Sequence, residues 1–208
     1  LRRRGPMTMA PSQLGIFTRS DPKRERANIQ FHVQPLSLEK FGDPLHRFPA
    51  VTVSACNLQP TSRGTIRLRT TAPDAAPVIA PNYLGTDEDR QVAADAIRVT
   101  RRLMKQNALA PYHPDEYLPG SSVGDGDASL AKAAGDIGTT IFHPVGTAKM
   151  GLSSDPTAVV DERLRLYGIE GLRVVDASVM PTITSGNTNT PTAMIASKAS
   201  AMILADAR

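Results

Sequence analysis

Apolar and polar positions alternate over "NIQFHVQP". Ile29, Phe31 and Val33 share one side; Asn28, Gln30, His32 and Gln34 share the other. A half-buried strand gives that period. Its polar side either lines a cavity or faces water. "AVTVSAC" alternates again, with Val51, Val53 and Ala55 together. "SRGTIRLRT" opens on a Gly turn and separates Ile66 and Leu68 from Arg67 and Arg69. Strand patterns punctuated by turns predict an antiparallel sheet with one covered face. Residues 1–27, with Gly5, Pro6, Pro11, Gly15 and Pro22, read as irregular.

The period then changes. Val92, Ala96, Val99 and Leu103 recur at steps of 4, 3 and 4, the stripe of an amphipathic helix over about 87–106. Thr86 and Asp89 have capping spacing, Asp87 and Glu88 fall in the first turn, and Arg101, Arg102 and Lys105 in the last. Prolines and glycines over 110–127 predict a loop, and a short helix is expected near 128–135. Strand-like runs are expected at 139–142 and 172–175. A last helix is expected from about 191, capped by Thr190 with Pro191 at its first position. It is apolar nearly all round, which predicts burial. An ordinary packed C-terminal helix and a helix start offering N–H groups to an anion or carbonyl are both open readings of "SGNTN".

Composition narrows the classes. The 208 residues suit one large domain or two small ones, with 40% hydrophobic and 21% charged residues, as in globular chains. No apolar run reaches membrane-spanning length and no export signal is visible. A start at Leu rather than Met reads as a fragment or a processed piece. Cys56 is the only cysteine; an internal disulfide and a multi-cysteine metal cluster are excluded, and no metal is expected. A reducing compartment follows as the default, so a cytoplasmic location, or one peripheral to a membrane, is expected. Net charge is +4 with 4% aromatics, without a basic stripe interleaved with aromatics. Solvated surface charge explains it and nucleic acid is not an expected partner. No phosphate-cradling glycine loop is present: "GDGDAS" carries acidic residues and follows no strand.

The candidate chemistry begins at "TTIFHPVGTAKMG", one histidine between an apolar run and a Gly/Thr turn. Read with "LQPTSRGTIRLRT", "APVIAPNYL", "DEDRQVAADAIRVTRRLM", "EYLPG" and "AVVDERLRLYGIEGLRVVDASVMPTITSGNTNTPTAMIASKAS", it resembles the C-terminal part of a glucose–methanol–choline flavin oxidoreductase. The match runs in order along nearly the whole chain and is most specific from His143 to Ser200. The resemblance implies an α+β fold: the antiparallel sheet of a substrate domain with flanking helices, over 1–135. Residues 136–208 would be a catalytic segment whose strand and helix complete an FAD-binding domain. The family's N-terminal G-x-G-x-x-G unit, which holds the ADP part of FAD, is not in this chain. These residues alone are therefore not expected to turn over substrate; an N-terminal FAD domain of the same protein is the implied partner.

Roles follow by the same resemblance. The family oxidises a CH–OH group with hydride transfer to FAD. His143 would be the base and Asn187 its partner, holding the substrate oxygen. Asn189, Thr190 and Pro191 would set the helix start at the flavin ring. Asp176 and Ala177 would lie near the ribityl–phosphate region, and His32 is the weaker substrate-pocket candidate. His46 and His113 read as surface residues, Met150 and Gly151 as packing and turn, Cys56 as a small hydrophobe, and Asp161 and Glu162 as turn carboxylates. Choline-specific members tend to carry cysteine in the stretch matching "HPVGTAKMG", and this chain does not; a small primary alcohol is the expected substrate. A hydroxynitrile lyase on the same scaffold and an isolated non-catalytic module are the alternatives.

Overall fold

A computed structural model describes residues 10, 12, 14–40 and 42–207. The arginine run at 2–4, with Gly5, Pro6 and Pro11, lies outside the described residues. Five strands and three α-helices are described: β1 (Leu14–Thr18), β2 (Ile29–Gln34), β3 (Thr52–Asn57), β4 (Thr65–Arg67), β5 (Val78–Ala80), α1 (Asp87–Met104), α2 (Asp127–Ile137) and α3 (Asn189–Asp206). Two compact units contain them. The first holds residues up to Leu58 together with Thr86–Gly138; the second holds Gln59–Gly85 and Thr139 onward. The sequence reading divides the chain instead at 135/136, with 59–85 in the first part.

In the first unit, β1, β2 and β3 form an antiparallel sheet with β2 central. β1 is a correction: the region before residue 28 is not all irregular. Leu14 and Ile16 alternate there, and the ladder to β2 supplies the backbone partners that a lone short run lacks. Phe31 pairs across to Ile16 and Ala55, and Val33 to Leu14 and Val53. This is the apolar side read from the sequence. Ile29 and Phe31 are fully buried and pack with Val92 and Ala96 of α1, flanked by Ile16, Val53 and Val99. Each buried side chain of that size contributes about 1.5–3 kcal/mol. The polar side does not simply face water. Asn28 and Gln30 are buried, and Asn28 Oδ1 accepts from Ser20 N at 2.8 Å.

α1 starts as its sequence predicts: Thr86 Oγ1 accepts from Asp89 N at 3.2 Å. The helix ends at Met104, and Lys105 is its C-cap rather than part of the last turn. It packs on β3 and on α2. Arg101 fastens the following loop: its guanidinium meets both Glu116 carboxylate oxygens at 2.9 Å, Asp125 at 2.6 Å and Val123 O at 2.9 Å.

In the second unit, β4 and β5 form their own two-stranded antiparallel ribbon, separate from the three-stranded sheet. The expectation that the third strand pattern joins one covered sheet is overturned. The ribbon's six residues are all exposed. A Cβ on Gly64 would lie 2.2 Å from Ala80 O, so only glycine permits this close approach of the two backbones. Neither 139–142 nor 172–175 is a strand. Phe142 has φ +61°, which breaks extension, and Arg173 makes only an isolated bridge to Arg165. An extended run without a neighbouring ladder keeps no regular strand.

α3 begins at Asn189, capped by Thr188 rather than Thr190; Pro191 is its third residue, where the missing N–H still costs no intrahelical bond. Its expected burial is overturned. Ala199 is its one buried residue, packing with Ile195, Val160, Leu164 and Val179. Met194 is 56% exposed and Leu204 66%. No described helix is long and apolar enough to span a membrane.

Candidate active site

Most of the candidate residues belong to the second unit, and their segments are tied through backbone. Ala148 N donates to Ser178 O at 3.0 Å and Met150 N to Val179 O at 2.9 Å. These two bonds lay the segment after His143 along the turn that starts at Asp176. Gly146 sits in the left-handed region at φ +85°, and a Cβ there would stand 3.4 Å from Met180 O. On the segment's other side, Val159 N donates to Lys149 O at 2.8 Å and Gly151 N to Val160 O at 3.1 Å. Met150 packs on the Val160–Val179–Ala199 core. A Cβ added at Gly151 would lie 3.0 Å from the Ala158 Cβ, a tight contact. Met150 has the packing role expected of it, whereas Gly151 lies beside Val160 rather than in a turn.

His143 itself is half-buried. The residue before it, Phe142, takes φ +61° and is 63% exposed. A bulky side chain in that region costs about 1–3 kcal/mol, and such strain persists where the surroundings over-determine it, often at functional sites. Phe142 N donates to Thr140 Oγ1 at 3.0 Å, which helps hold the turn.

The Asp176 turn is a short 3-10 segment, Ala177–Val179. Asp176 Oδ1 accepts from Ser178 N at 2.8 Å and from Ser178 Oγ at 2.5 Å. This carboxylate oxygen shapes its own turn. Ala177 is half-buried beside it. From Met180 the chain runs through an open loop to Asn187, which is exposed, and to Thr188, which is buried. Thr192 N makes the first helical bond, to Thr188 O at 3.0 Å. The N–H groups of Asn189 and Thr190 thus have no partner inside the helix, and both residues are exposed. Pro191 offers none. Two free donors at the positive end of an 18-residue helix suit a carbonyl or a delocalised anion. That donor set fits the pyrimidine edge of a flavin.

One contributor was not singled out from the sequence. Lys149 Nζ reaches Asp155 Oδ2 at 2.7 Å and Thr157 Oγ1 at 2.8 Å, while Asp155 Oδ1 accepts from Thr157 N at 2.8 Å. The Lys149 ammonium, helped by Thr157, holds the Asp155 carboxyl far below the usual carboxylate range. The staple braces the segment that follows His143. Lys149 six residues after a histidine carries no sequence signal; only the turns over 152–158 bring its partners near.

His32 lies in the first unit, on β2, opposite Gly15 and Ser54. It is half-buried and its Nε2 is shielded from solvent, so it is not a solvated strand-face residue. His46 corrects another expectation. It is not a plain surface residue, since its side chain is 14% exposed and stacks on Phe48. His113 is exposed, at φ +46°. Burial pushes the Cys56 thiol up, as suits a small hydrophobe. Asp161 Oδ1 accepts from Arg163 N and Arg165 N, both at 2.8 Å, the turn role expected of it. Among the described residues, no group of three or more His, Cys, Asp or Glu side chains is arranged to hold a metal ion.

Known proteins resemble this chain in sequence and in fold. Residues 60–196 match the GMC oxidoreductase C-terminal profile. An alcohol dehydrogenase [acceptor] of Pseudomonas putida is 38% identical over 98% of this chain and 36% of its own length. Mitochondrial choline dehydrogenase of Mus musculus is 41% identical over 96% of this chain and 33% of its own. Among solved structures, pyridoxine 4-oxidase from Mesorbium loti superposes with a TM-score of 0.81 at 29% identity, over 91% of this chain and 37% of that one. Aspergillus oryzae formate oxidase, in a structure concerned with FAD modification, gives 0.74 at 26% identity over 88% and 32%. The chain thus spans about a third of the length of the relatives it matches. On a profile covering well over half of its residues, the chain belongs to the GMC oxidoreductase family.

Proposed function

We propose that this chain is the C-terminal portion of a flavoenzyme that oxidises a small primary alcohol to an aldehyde. Its cofactor is FAD, held chiefly by an N-terminal domain of the same protein; when bound, FAD supplies the hydride acceptor. The residues of this chain do the rest. His143 takes the hydroxyl proton at an imidazole nitrogen as the carbinol C–H is lost, so C–OH becomes C=O. Asn187 cannot take that proton; its amide holds the substrate oxygen. The backbone N–H groups of Asn189 and Thr190, aligned ahead of Pro191, favour negative charge at the flavin ring. The Asp176–Ala177 turn borders the ribityl–phosphate region. His32 is the residue of the first unit that we assign to the substrate.

The observation carrying this reading is the pair of backbone bonds, Ala148 to Ser178 and Met150 to Val179, that seats the His143 segment on the Asp176 turn. The exposed apolar flank of α3, with Met194 and Leu204, supports a further domain packing there. Relatives bear both alcohol and choline names; the primary alcohol is kept because "HPVGTAKMG" lacks the cysteine of choline-type stretches.

The test is anaerobic flavin bleaching in the protein extended to its natural start, with a panel of alcohols. One alcohol class should bleach the flavin. His143→Ala should slow that bleaching by about 10²–10⁴-fold. A rate equal to the unsubstituted protein's would remove His143 from the base role.

A further inference from the structure

The first unit contains a cleft of about 320 Å³, with Leu36, Ser37, Leu45, His46, Phe48 and Ala50 in its wall. That volume is at the small end of ligand sites, enough for one ring or a short alkyl chain. The wall is preformed. His46 N donates to Ser37 O at 2.9 Å, and Thr52 Oγ1 donates to Leu36 O at 2.7 Å. The His46 ring stacks on Phe48 with centroids 4.7 Å apart and planes 19° apart. Tyr117 meets both rings, edge-on to His46 at 5.2 Å and tilted to Phe48 at 5.3 Å. Tyr117 comes from the loop that Arg101 fastens, and its hydroxyl donates to Glu39 Oε1.

Hydrogen-bond roles within the wall are decidable from chemistry. His46 Nε2 faces Glu39 Oε1 at 3.2 Å, and an ionised carboxylate only accepts. Nε2 therefore carries the proton. In a neutral ring Nδ1 is then an acceptor, and the 2.8 Å contact to Ser37 Oγ is filled by the serine hydroxyl donating. His46 is committed at both nitrogens and cannot serve a ligand. Ser37 Oγ, having donated, keeps lone pairs that accept. The cleft thus offers apolar surface from Leu36, Leu45, Phe48 and Ala50 beside one side-chain acceptor, with no Lys, Arg, Asp or Glu in the wall.

We propose that this cleft binds a small uncharged molecule with an aromatic or alkyl body and one hydroxyl, the hydroxyl donating to Ser37 Oγ. The proposal stands on the first unit alone and does not rest on the oxidation reading. Phe48 is 46% exposed and Leu45 57%, a surface that a ring would cover. Choline, whose ammonium would meet no carboxylate in the wall, is the contrasting probe.

Methyl-detected NMR of the protein, titrated with benzyl alcohol, toluene and choline, tests it. Benzyl alcohol should give saturable shifts at the Leu36, Leu45 and Ala50 methyls. Toluene should bind about tenfold more weakly, as expected for one hydrogen bond, and choline should give no saturable shift. Ser37→Ala should bring benzyl alcohol down to the toluene level, and Phe48→Ala should abolish both. Unchanged Ile29 and Val92 methyl signals would show that each variant stays folded. No saturable benzyl alcohol shift, or equal binding of choline, overturns the proposal; so does a Ser37→Ala variant that binds as before. Because the readout is binding, His143→Ala should leave it untouched. Absence of bleaching by every alcohol in the unsubstituted protein, with benzyl alcohol binding retained, would therefore bring down the oxidation reading alone.

Discussion

Phe142 and His143 together pose a trade between stability and function. A phenylalanine at φ +61° is strained, and asparagine tolerates that region better. Phe142→Asn should therefore stabilise the fold by about 1 kcal/mol in a denaturant titration, and flavin reduction should fall if the strain aims His143. A variant both more stable and equally fast would separate the strain from the chemistry. On the proposed roles, Asn187→Ala should slow bleaching less than His143→Ala, because it would remove a hydrogen bond and not the proton acceptor; an unchanged rate would place Asn187 outside the site. The segments that carry His143 and Asn187 were legible through the family resemblance, whereas the strain and the Lys149–Asp155–Thr157 staple were not. A dihedral angle and a contact across a turn have no signature in residue order.

Helix α1 was legible in detail because every signal for it is local. Its cap, its acidic first turn and its 4-3-4 stripe lie within 18 residues. Thr86→Ala should cost about 1 kcal/mol, read as a lower denaturant midpoint with the slope unchanged. Helix α3 was legible in place but not in environment. Near its C-terminus Asp206 takes Arg163 at 2.6 Å, Arg165 at 2.7 Å and also Arg173. Arg165 first, with Arg163 and Arg173, lowers the Asp206 carboxyl to about 2. A folded value below the unfolded one means stability that is present above about pH 4 and lost as pH falls towards 2. Acid titration of the unfolding free energy should show that loss, and Asp206→Asn should flatten it. An identical acid limb in the variant would show that Asp206 is not its source.

Across the protein, the exposed apolar residues do not match a chain that buries everything it can. α3 presents Met194, Ile203 and Leu204 to solvent, and the β4–β5 ribbon presents Ile66 and Ile79. The relatives this chain matches are about three times its length, and the N-terminal domain proposed above would have these surfaces to pack on. Produced alone, the 208-residue chain should bind an environment-sensitive apolar dye. Met194→Lys with Leu204→Lys should reduce that signal by about half if α3 carries it. No reduction would move the apolar surface elsewhere, to the ribbon.

Local order determined much here. Period 2 found β2 and β3, period 3.6 found α1, and the run from His143 to Ser200 pointed to the family, because each is written in neighbouring residues. What only the tertiary structure decided was pairing and exposure. β4 left the main sheet for β5, residues 14–18 became a strand by laddering on β2, and the run at 139–142 was turned by Phe142. His46 met Phe48 and Glu39 within its own loop and Tyr117 from a distant one. α3 stayed largely uncovered although its composition asks for burial. Strand partners and covering surfaces are set by what the rest of the chain brings near, and a linear pattern states only the need for a partner, not which one arrives.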